Sequence, residues 1–582
     1  MHAIDFIIVG LYLAGVVGLG WALARRAGAS IDHYFLGGRG LPWWALGASG
    51  MASNLDIAGT MTIVTLLYLY GLHGFFMEMR GGVVLPIAVF LAFMGKWHRR
   101  SRVMTTAEWM TLRFGDGAQG KLARLVAALT YLVITIGMVH FFLAASGKFF
   151  AVFLPFSPSV CAASAAGIAL IYTLLGGLYG VVWTDVVQAV LIGAAALYVS
   201  VLAAGELSPE VAARWPGAAF NDLVPRWSDA GLGAYAAFAP LLVAWVGKGV
   251  LEGLGGSGGS AYMAQRFYAA RSDRECTKIG VLWTLLFAFR WPMVVGFVIL
   301  AAKLGIDAEP ETILPRVLAS DLFPVGFRGL VIAAMLAAAM STFDSTINAG
   351  AAYAVRDIYQ PLRPEASERA LVQSGYIAST AIVAVGLLLA LVSNKSVVEV
   401  WITVVIQLFP AFLVPFALRW YWPRMNGAGF SAGVLAGFGA ALLVWLFDAH
   451  LGLSEAEILY FTALCSLGGS VAGSLLTEPV AAETLRAFYD AVRPFGWWPR
   501  DWREAHAAEH KQDIVRLARA LSWQVATFLT PMALLLRKWE GSLVLVIAWG
   551  ALTWTLWRDV RSDRDDPQAG PPGRARPGPA HA

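Results

Sequence analysis

The chain has 582 residues, of which 58% are hydrophobic and only 14% charged, with a mean hydropathy of +0.64. Soluble domains carry about a quarter charged residues, so this composition excludes a soluble enzyme or regulator. The net charge of +5 sits in short loops between apolar runs, where it orients helices instead of meeting nucleic acid.

The runs are roughly 18 to 25 residues long, enough for a helix to cross a hydrocarbon core about 30 Å thick. Backbone groups in lipid must bond internally, which leaves helices and excludes open sheets. The runs fall near residues 3–24, 41–70, 80–97, 122–150, 158–180, 184–204, 234–262, 277–303, 326–355, 370–393, 397–419, 427–449 and 456–476, with two more near 521–537 and 541–558. About fifteen spans are expected. The first run, from Ala3 to Ala24, lacks a basic leader and exceeds a signal-peptide core, so it reads as a retained span. Cys161, Cys276 and Cys465 are scattered, with neither metal-ligand spacing nor a paired framework.

Basic residues fall in alternate loops. Arg25 and Arg26, the cluster Lys96, Arg99, Arg100 and Arg102, then Arg266, Arg271 and Arg274, then Arg356, Arg363 and Arg369, and finally Arg419 and Arg424 mark one side as cytoplasmic. The amino terminus is then expected outside and the carboxyl terminus in the cytoplasm, in a bacterial inner membrane; Lys538 alone sits against the trend. Residues 1–476 read as the membrane domain. Residues 477–520, charged and rich in Trp and Arg, read as amphipathic helices on the cytoplasmic face. An additional helix pair follows at 521–558, and the Pro/Gly-rich residues 559–582 read as a disordered cytoplasmic tail.

Two spans are interrupted at mid-membrane depth. The second breaks around Gly47-Ala-Ser-Gly-Met-Ala-Ser-Asn-Leu-Asp56, and the seventh, about 200 residues later, at Gly253-Leu-Gly-Gly-Ser-Gly-Gly-Ser260. Paired broken spans mark transporter binding sites, because the break frees carbonyls and helix ends for an ion or solute. Close helix packing is the competing explanation for such glycines. In the ninth span Ala338, Ser341 and Thr342 fall at i, i+3 and i+4, on one helix face. Two hydroxyls and a carbonyl there suit a small hard cation, although Ser and Thr also bond back to the preceding turn.

Several blocks resemble the sodium:solute symporter family. They are Met340-Ser-Thr-Phe-Asp-Ser345 with Arg356-Asp-Ile-Tyr359, and Tyr172-Thr-Leu-Leu-Gly-Gly-Leu-Tyr-Gly-Val-Val-Trp-Thr-Asp-Val-Val-Gln188. Asp32-His-Tyr-Phe-Leu-Gly-Gly-Arg39, Leu41-Pro-Trp-Trp44, Ala107-Glu-Trp, Arg113-Phe-Gly115 and Gln265-Arg266 complete the set. The resemblance implies an all-α membrane protein with a LeuT-type inverted-repeat bundle of five plus five helices, flanked by further helices. The repeats would be at about 41–204 and 234–419. It implies a sodium site formed by carbonyl oxygens of Ala52, Leu55 and Ala338 and hydroxyls of Ser341 and Thr342, with Asp185 on the ion's exit path. A carboxylate inside a span is costly and so a functional candidate, unless it caps a helix end facing water.

The expected activity is symport of sodium with a small polar organic solute, and not an enzymatic reaction. A potential of 100 mV contributes roughly 2.3 kcal/mol per charge, enough to concentrate a neutral solute about fiftyfold. Where sugar carriers of the family present a Glu-Gln pair, this chain has Ala58 and Gly59. Candidate solute contacts are Asn54, Asp56, Lys248, Glu252 and Tyr262. Asp56 equally reads as the cap of a half-helix, Tyr262 as an interfacial aromatic, and Lys248 with Glu252, at i and i+4, as a self-neutralising pair. Arg290 is a further intramembrane charge. Sugar is the first expectation, with amino acids and small carboxylates close behind. Proton coupling through Asp56 or Asp185, and a non-transporting solute sensor, are the alternatives. Two formal motifs carry no chemistry here. Gly253-Leu-Gly-Gly-Ser-Gly258 follows no strand, and His506-Ala-Ala-Glu-His510 lies in a solvated helix with no enclosing domain.

Overall fold

The computed structural model describes residues 2–27, 30–80, 84–214, 227–228, 230–256 and 261–562. The chain is an all-helical, multi-pass membrane protein. Among the described residues nine helices are long and apolar enough to cross a membrane, or eleven if each of two sharply bent pairs counts as one span.

Helix α1 (Ala3–Ala27) precedes the half-helices α2 (Trp43–Ala52) and α3 (Ile57–Tyr70), which meet at 55°. Pro42 starts α2, and Asp56 caps α3 by accepting from the Gly59 N–H at 2.5 Å. Residues 86–101 form α4, with a π-helical stretch at Phe90–Met94. Helix α5 (Ala118–Ala151) leads to α6 (Pro158–Glu206). Two spans with a turn at 181–183 were expected here. Instead the backbone breaks only at Gly177, whose φ of 48° and ψ of −167° leave the helical region. A side chain at Gly177 would stand 2.8 Å from Tyr34, so both torsion and space require glycine.

Helix α7 (Phe238–Leu254) and α8 (Ala261–Tyr268) flank the Gly-rich break, whose residues 257–260 lie outside the described residues. Helices α9 (Asp273–Phe287) and α10 (Arg290–Leu304) follow, then α11 (Phe327–Ala352), continued by a π-helical stretch over Tyr353–Tyr359. The carboxylate of Asp5 caps α11, accepting from Gly326 N at 2.8 Å and Gly329 N at 2.9 Å. Helix α12 (Glu368–Val392) precedes a third bend, of 41°, between α13 (Val397–Leu408) and α14 (Pro410–Tyr421). The sequence reading missed this bend, although Pro410 withholds a backbone N–H there. Helices α15 (Gly427–Leu451) and α16 (Glu455–Leu476) pack closely through Gly429, Gly433, Gly469 and Gly473. Helix α11 is the most enclosed element, packed against α6, α1, α12 and α5.

The segment after residue 476 is bound to the bundle. Helix α17 (Ala482–Val492) lays Phe488 on Trp109, and the Trp498 indole donates to the Trp420 carbonyl at 3.1 Å. Helix α18 (Ala507–Leu535) is continuous, so no boundary exists at residue 520. Its Glu509 meets Lys96 and Arg100, each at 2.8 Å, and its Asp513 meets Lys96 at 2.7 Å. The Glu509 carboxylate is therefore occupied by cations, which answers the His506–His510 motif. Helix α19 (Trp539–Ser562) runs past residue 558; residues 563–582 of the expected tail lie outside the described residues.

Candidate functional site

The break between α2 and α3 places Ser53, Asn54 and Leu55 outside regular helix, beside α6, α8 and α11. Ser53 lies at the first turn after α2, donating its hydroxyl to the Ser49 carbonyl at 2.8 Å. It sits 2.8 Å from the Ser345 hydroxyl and 3.4 Å from the Ser341 hydroxyl of α11. Ala52, Leu55, Ala338, Ser341 and Thr342 are all buried. The Thr342 hydroxyl donates back to the Ala338 carbonyl at 3.1 Å, as a mid-helix threonine does. Ser341 turns the other way, donating to Asp185 at 2.5 Å.

Asp185 is fully buried within α6, far from a helix end, so the water-facing cap reading fails. It accepts from Ser49 at 2.5 Å and Ser341 at 2.5 Å, and lies 3.6 Å from Arg266 Nη2. The same guanidinium donates to Ser345 at 2.5 Å, Ser49 at 3.0 Å and Ser53 at 3.1 Å. The sequence reading counted Arg266 among loop cations. It belongs to α8 and is fully buried, as Arg419 is in α14. A buried charge needs a partner, and Asp185 with three serines supplies it.

The solute candidates separate into two groups. The Asn54 amide donates to the Tyr262 hydroxyl at 2.6 Å, linking the two broken helices directly. Asp56 is the cap of α3, as its alternative reading had it. It is also the neighbour of Arg290, which donates through Nη1 to the Asn54 carbonyl at 3.1 Å. Arg290 Nη2 and both Asp56 oxygens lie within 3.4 Å of the point where a Gly59 side chain would begin. The space left by the missing Glu-Gln pair is thus taken by a guanidinium. Arg290 Nε and Nη2 have no hydrogen-bond partner among the described residues, nor does the Asn54 side-chain oxygen. No partner of Arg290 is legible in its own helix, because the carbonyl it meets lies 236 positions away.

Lys248 and Glu252 form the second group. They pair with each other at 3.2 Å with both side chains wholly buried, and Lys248 lies 5.2 Å above the Phe409 ring. The carbonyls freed where α7 ends are also largely claimed. Tyr421 donates to Leu254 O at 3.0 Å, while Trp420 and Arg419 donate to Gly255 O at 3.1 and 3.2 Å. His98 Nε2 lies 2.8 Å from Gly256 O, which assigns it the ring proton, and Nδ1 then accepts from Tyr268 at 2.8 Å. Aromatic side chains, a guanidinium and an imidazole thus satisfy this helix end, where an ion or solute was expected to. Gly253 also serves packing, since a side chain there would stand 2.5 Å from Val89.

Residues 34–437 match the model of the sodium:solute symporter family, well over half of the chain. The chain is 26% identical to a sodium/glucose cotransporter of Vibrio parahaemolyticus, over 76% of its own length and 85% of that protein. It is 28% identical to the high-affinity proline transporter PutP of Bacillus subtilis (strain 168), over 74% of this chain and 89% of that one. Among solved structures, the substrate-bound outward-open state of a Na+-coupled sialic acid symporter superposes with a TM-score of 0.63 at 20% identity. That match covers 82% of this chain and 99% of the other, and shows a shared fold. The LeuT-type architecture, the enclosed ion-pair cluster at the broken helices and the family match agree: this chain is a secondary transporter and not an enzyme, and it belongs to the sodium:solute symporter family.

Proposed function

We propose that this protein carries a small polar organic solute into the cell together with sodium, by alternating access. It would cross a bacterial inner membrane about fifteen times, with its amino terminus outside and its carboxyl terminus in the cytoplasm. The observation that carries the reading is the approach of Ser341 and Ser53, 3.4 Å apart across the break and α11. The proposed sodium ligands are the carbonyl oxygens of Ala52, Leu55 and Ala338 and the hydroxyls of Ser341 and Thr342, all on buried residues, with Asp185 proposed on the exit path. Neutral oxygens in a dry setting suit a hard monovalent cation.

The solute would lie between the two breaks, against Asn54, Asp56, Tyr262 and Arg290. Arg290 Nε and Nη2, without hydrogen-bond partners among the described residues, the second of them beside Gly59, favour a solute that bears a carboxylate, an acidic sugar or an amino acid, over a neutral sugar. Lys248 and Glu252, already paired, drop out of the solute site in this reading.

A thermal-stability screen of purified protein tests it, in sodium or choline, against neutral sugars, sugar acids, amino acids and small carboxylates. A bound ligand raises the midpoint by mass action, about 2.7 kcal/mol at a hundred times its dissociation constant. The expected result is a sodium-dependent shift with one carboxylate-bearing class, lost in Ser341→Ala/Thr342→Ala. Absence of any sodium effect, together with uptake driven by pH steps alone, would transfer the coupling to protons.

A further inference from the structure

A cavity of about 330 Å³ opens among α1, α5, α6 and α11. None of its lining residues belongs to the broken helices. Its lining side chains are carbon apart from the Ser146 and Ser164 hydroxyls, the Cys161 thiol and the Met340 thioether. Water needs two to four polar partners to settle in a cavity, and a polar solute needs more. Helix is excluded by size, because a single turn about 10 Å across and 5.4 Å tall already exceeds this volume. The occupant must be apolar and slender.

The rim identifies the source. Phe6, Phe156 and Ile168 line the cavity and are 48%, 56% and 41% exposed. They continue into Ile7 and Leu11 of α1 and Ile171 of α6, which are exposed on the apolar outer surface of the bundle. The lining comes from the first turns of α1, the last turns of α5, the first turns of α6 and residues 332–343 of α11, which reach past the middle of that helix. The exposed rim at Phe6, Phe156 and Ile168 sets the opening toward the amino-terminal end of α1. A methylene takes about the room of a liquid water molecule, roughly 30 Å³, so the cavity accommodates about eleven carbons of one chain.

We propose that this cavity binds an acyl chain of a membrane phospholipid, from the leaflet at the amino-terminal end of α1. The chain would rest against Met340 and Phe343 of α11, which bracket Ser341 and Thr342 in sequence. It would fill the outer wall of the helix whose inner face meets the broken span. Lipid would then be a structural neighbour of the candidate ion site, one side chain removed from it.

The test uses the full-length protein in liposomes of phosphatidylethanolamine and phosphatidylglycerol, doped with a phospholipid carrying a photoactivatable diazirine midway along its acyl chain. Cross-linked peptides are mapped by mass spectrometry. Adducts at residues 332–343 of α11 should exceed those at the exposed perimeter residues Leu388 and Leu442 several-fold. Filling the cavity with Ala165→Trp, from α6, or Ala339→Trp, from α11, should lower the α11 adducts at least fivefold and leave the perimeter ones unchanged. Two variants on different helices guard against one that fails to fold. Wall adducts at the perimeter level, or adducts undiminished in the folded variants, would overturn the assignment.

Discussion

Arg290 and Asp56 offer the sharpest test of how the broken helix is held. Arg290 is 4% exposed and Asp56 9%, and both fill the space over Gly59. Replacing Arg290 by Met keeps the apolar stem and removes the charge, leaving Asp56 with the Gly59 N–H as its remaining support. Arg290 and Asp56 attract one another through space without a direct ion-pair contact, so removing one partner should cost less than the ~3–5 kcal/mol of a broken buried contact pair. Asp56→Asn strands the opposite charge while preserving the cap, since Asn and Asp cap equally well. The double variant strands neither. Unfolding of the three purified variants in choline buffer, against the parent, gives the coupling between the two sites. The double variant should recover at least half of the summed losses. Losses that simply add would show that the two charges do not hold one another, and the placement of Arg290 in the solute site would fall with them.

Two further outcomes follow from other ion pairs. Lys248→Met and Glu252→Gln should each destabilise by about 3 kcal/mol or more and compensate when combined. The combined variant should keep the parent's half-saturating solute concentration; a tenfold change in transport assays would bring the pair back into the solute site. Asp513 is 1% exposed, and burial pushes it up to about 6 despite Lys96 beside it. Its unfolded value is 3.8, so the folded chain binds the extra proton between these limits. Docking of α18 should therefore weaken as pH rises from 5 to 6, by roughly 1.36 kcal/mol per unit at most. Glu509 works in the opposite sense at lower pH: burial raises it, but Lys96 and Arg100 hold it down to about 2 from its ordinary 4.5, so its contribution is lost as pH falls below about 5. Melting curves over pH 5–6 should slope downward with pH in the parent and lose that slope in Asp513→Asn, and a parent curve flat over this interval refutes the account.

Hydropathy carried most of the architecture because leaving water is a property of a segment. The apolar helices and the polar break of the second span at 47–56 were legible in this way, while the turn placed at 181–183 and the bend before Pro410 were not. Cations were less so. Arg266 and Arg419 stand beside basic loops and look like loop residues, yet both are fully buried, and what buries them lies in other helices. Asp185 and three serines neutralise the first, while the Gly255 carbonyl and the Trp109 ring, 4.3 Å below its guanidinium, hold the second. Gly177 carried a signal that hydropathy cannot register, since a positive φ leaves no trace in an apolar run. Arg290 was noticed as a charge in the wrong solvent, but its neighbours required the fold.

The hydroxyl bonds at Ser341 and Thr342 bear on a contradiction in the sequence reading, where bonding back to the helix competed with ion ligation. A hydroxyl has one proton to donate and two lone pairs to offer. Thr342 gives its proton to Ala338 O, and Ser341 gives its proton to Asp185. Both oxygens keep their lone pairs, now oriented by a fixed donor bond, so the two readings describe one arrangement. Asp185 gains a further role from the same geometry. Its carboxylate is shared among Ser49, Ser341 and Arg266, which ties α2, α6, α8 and α11 into one polar cluster. A cation arriving beside Ser341 would compete with Arg266 for that carboxylate. Because Arg266 also donates to Ser49, Ser53 and Ser345, any displacement of its guanidinium must loosen the hydrogen bonds that hold the broken span against α11. In the proposed reading, ion binding and helix movement would be coupled through one side chain.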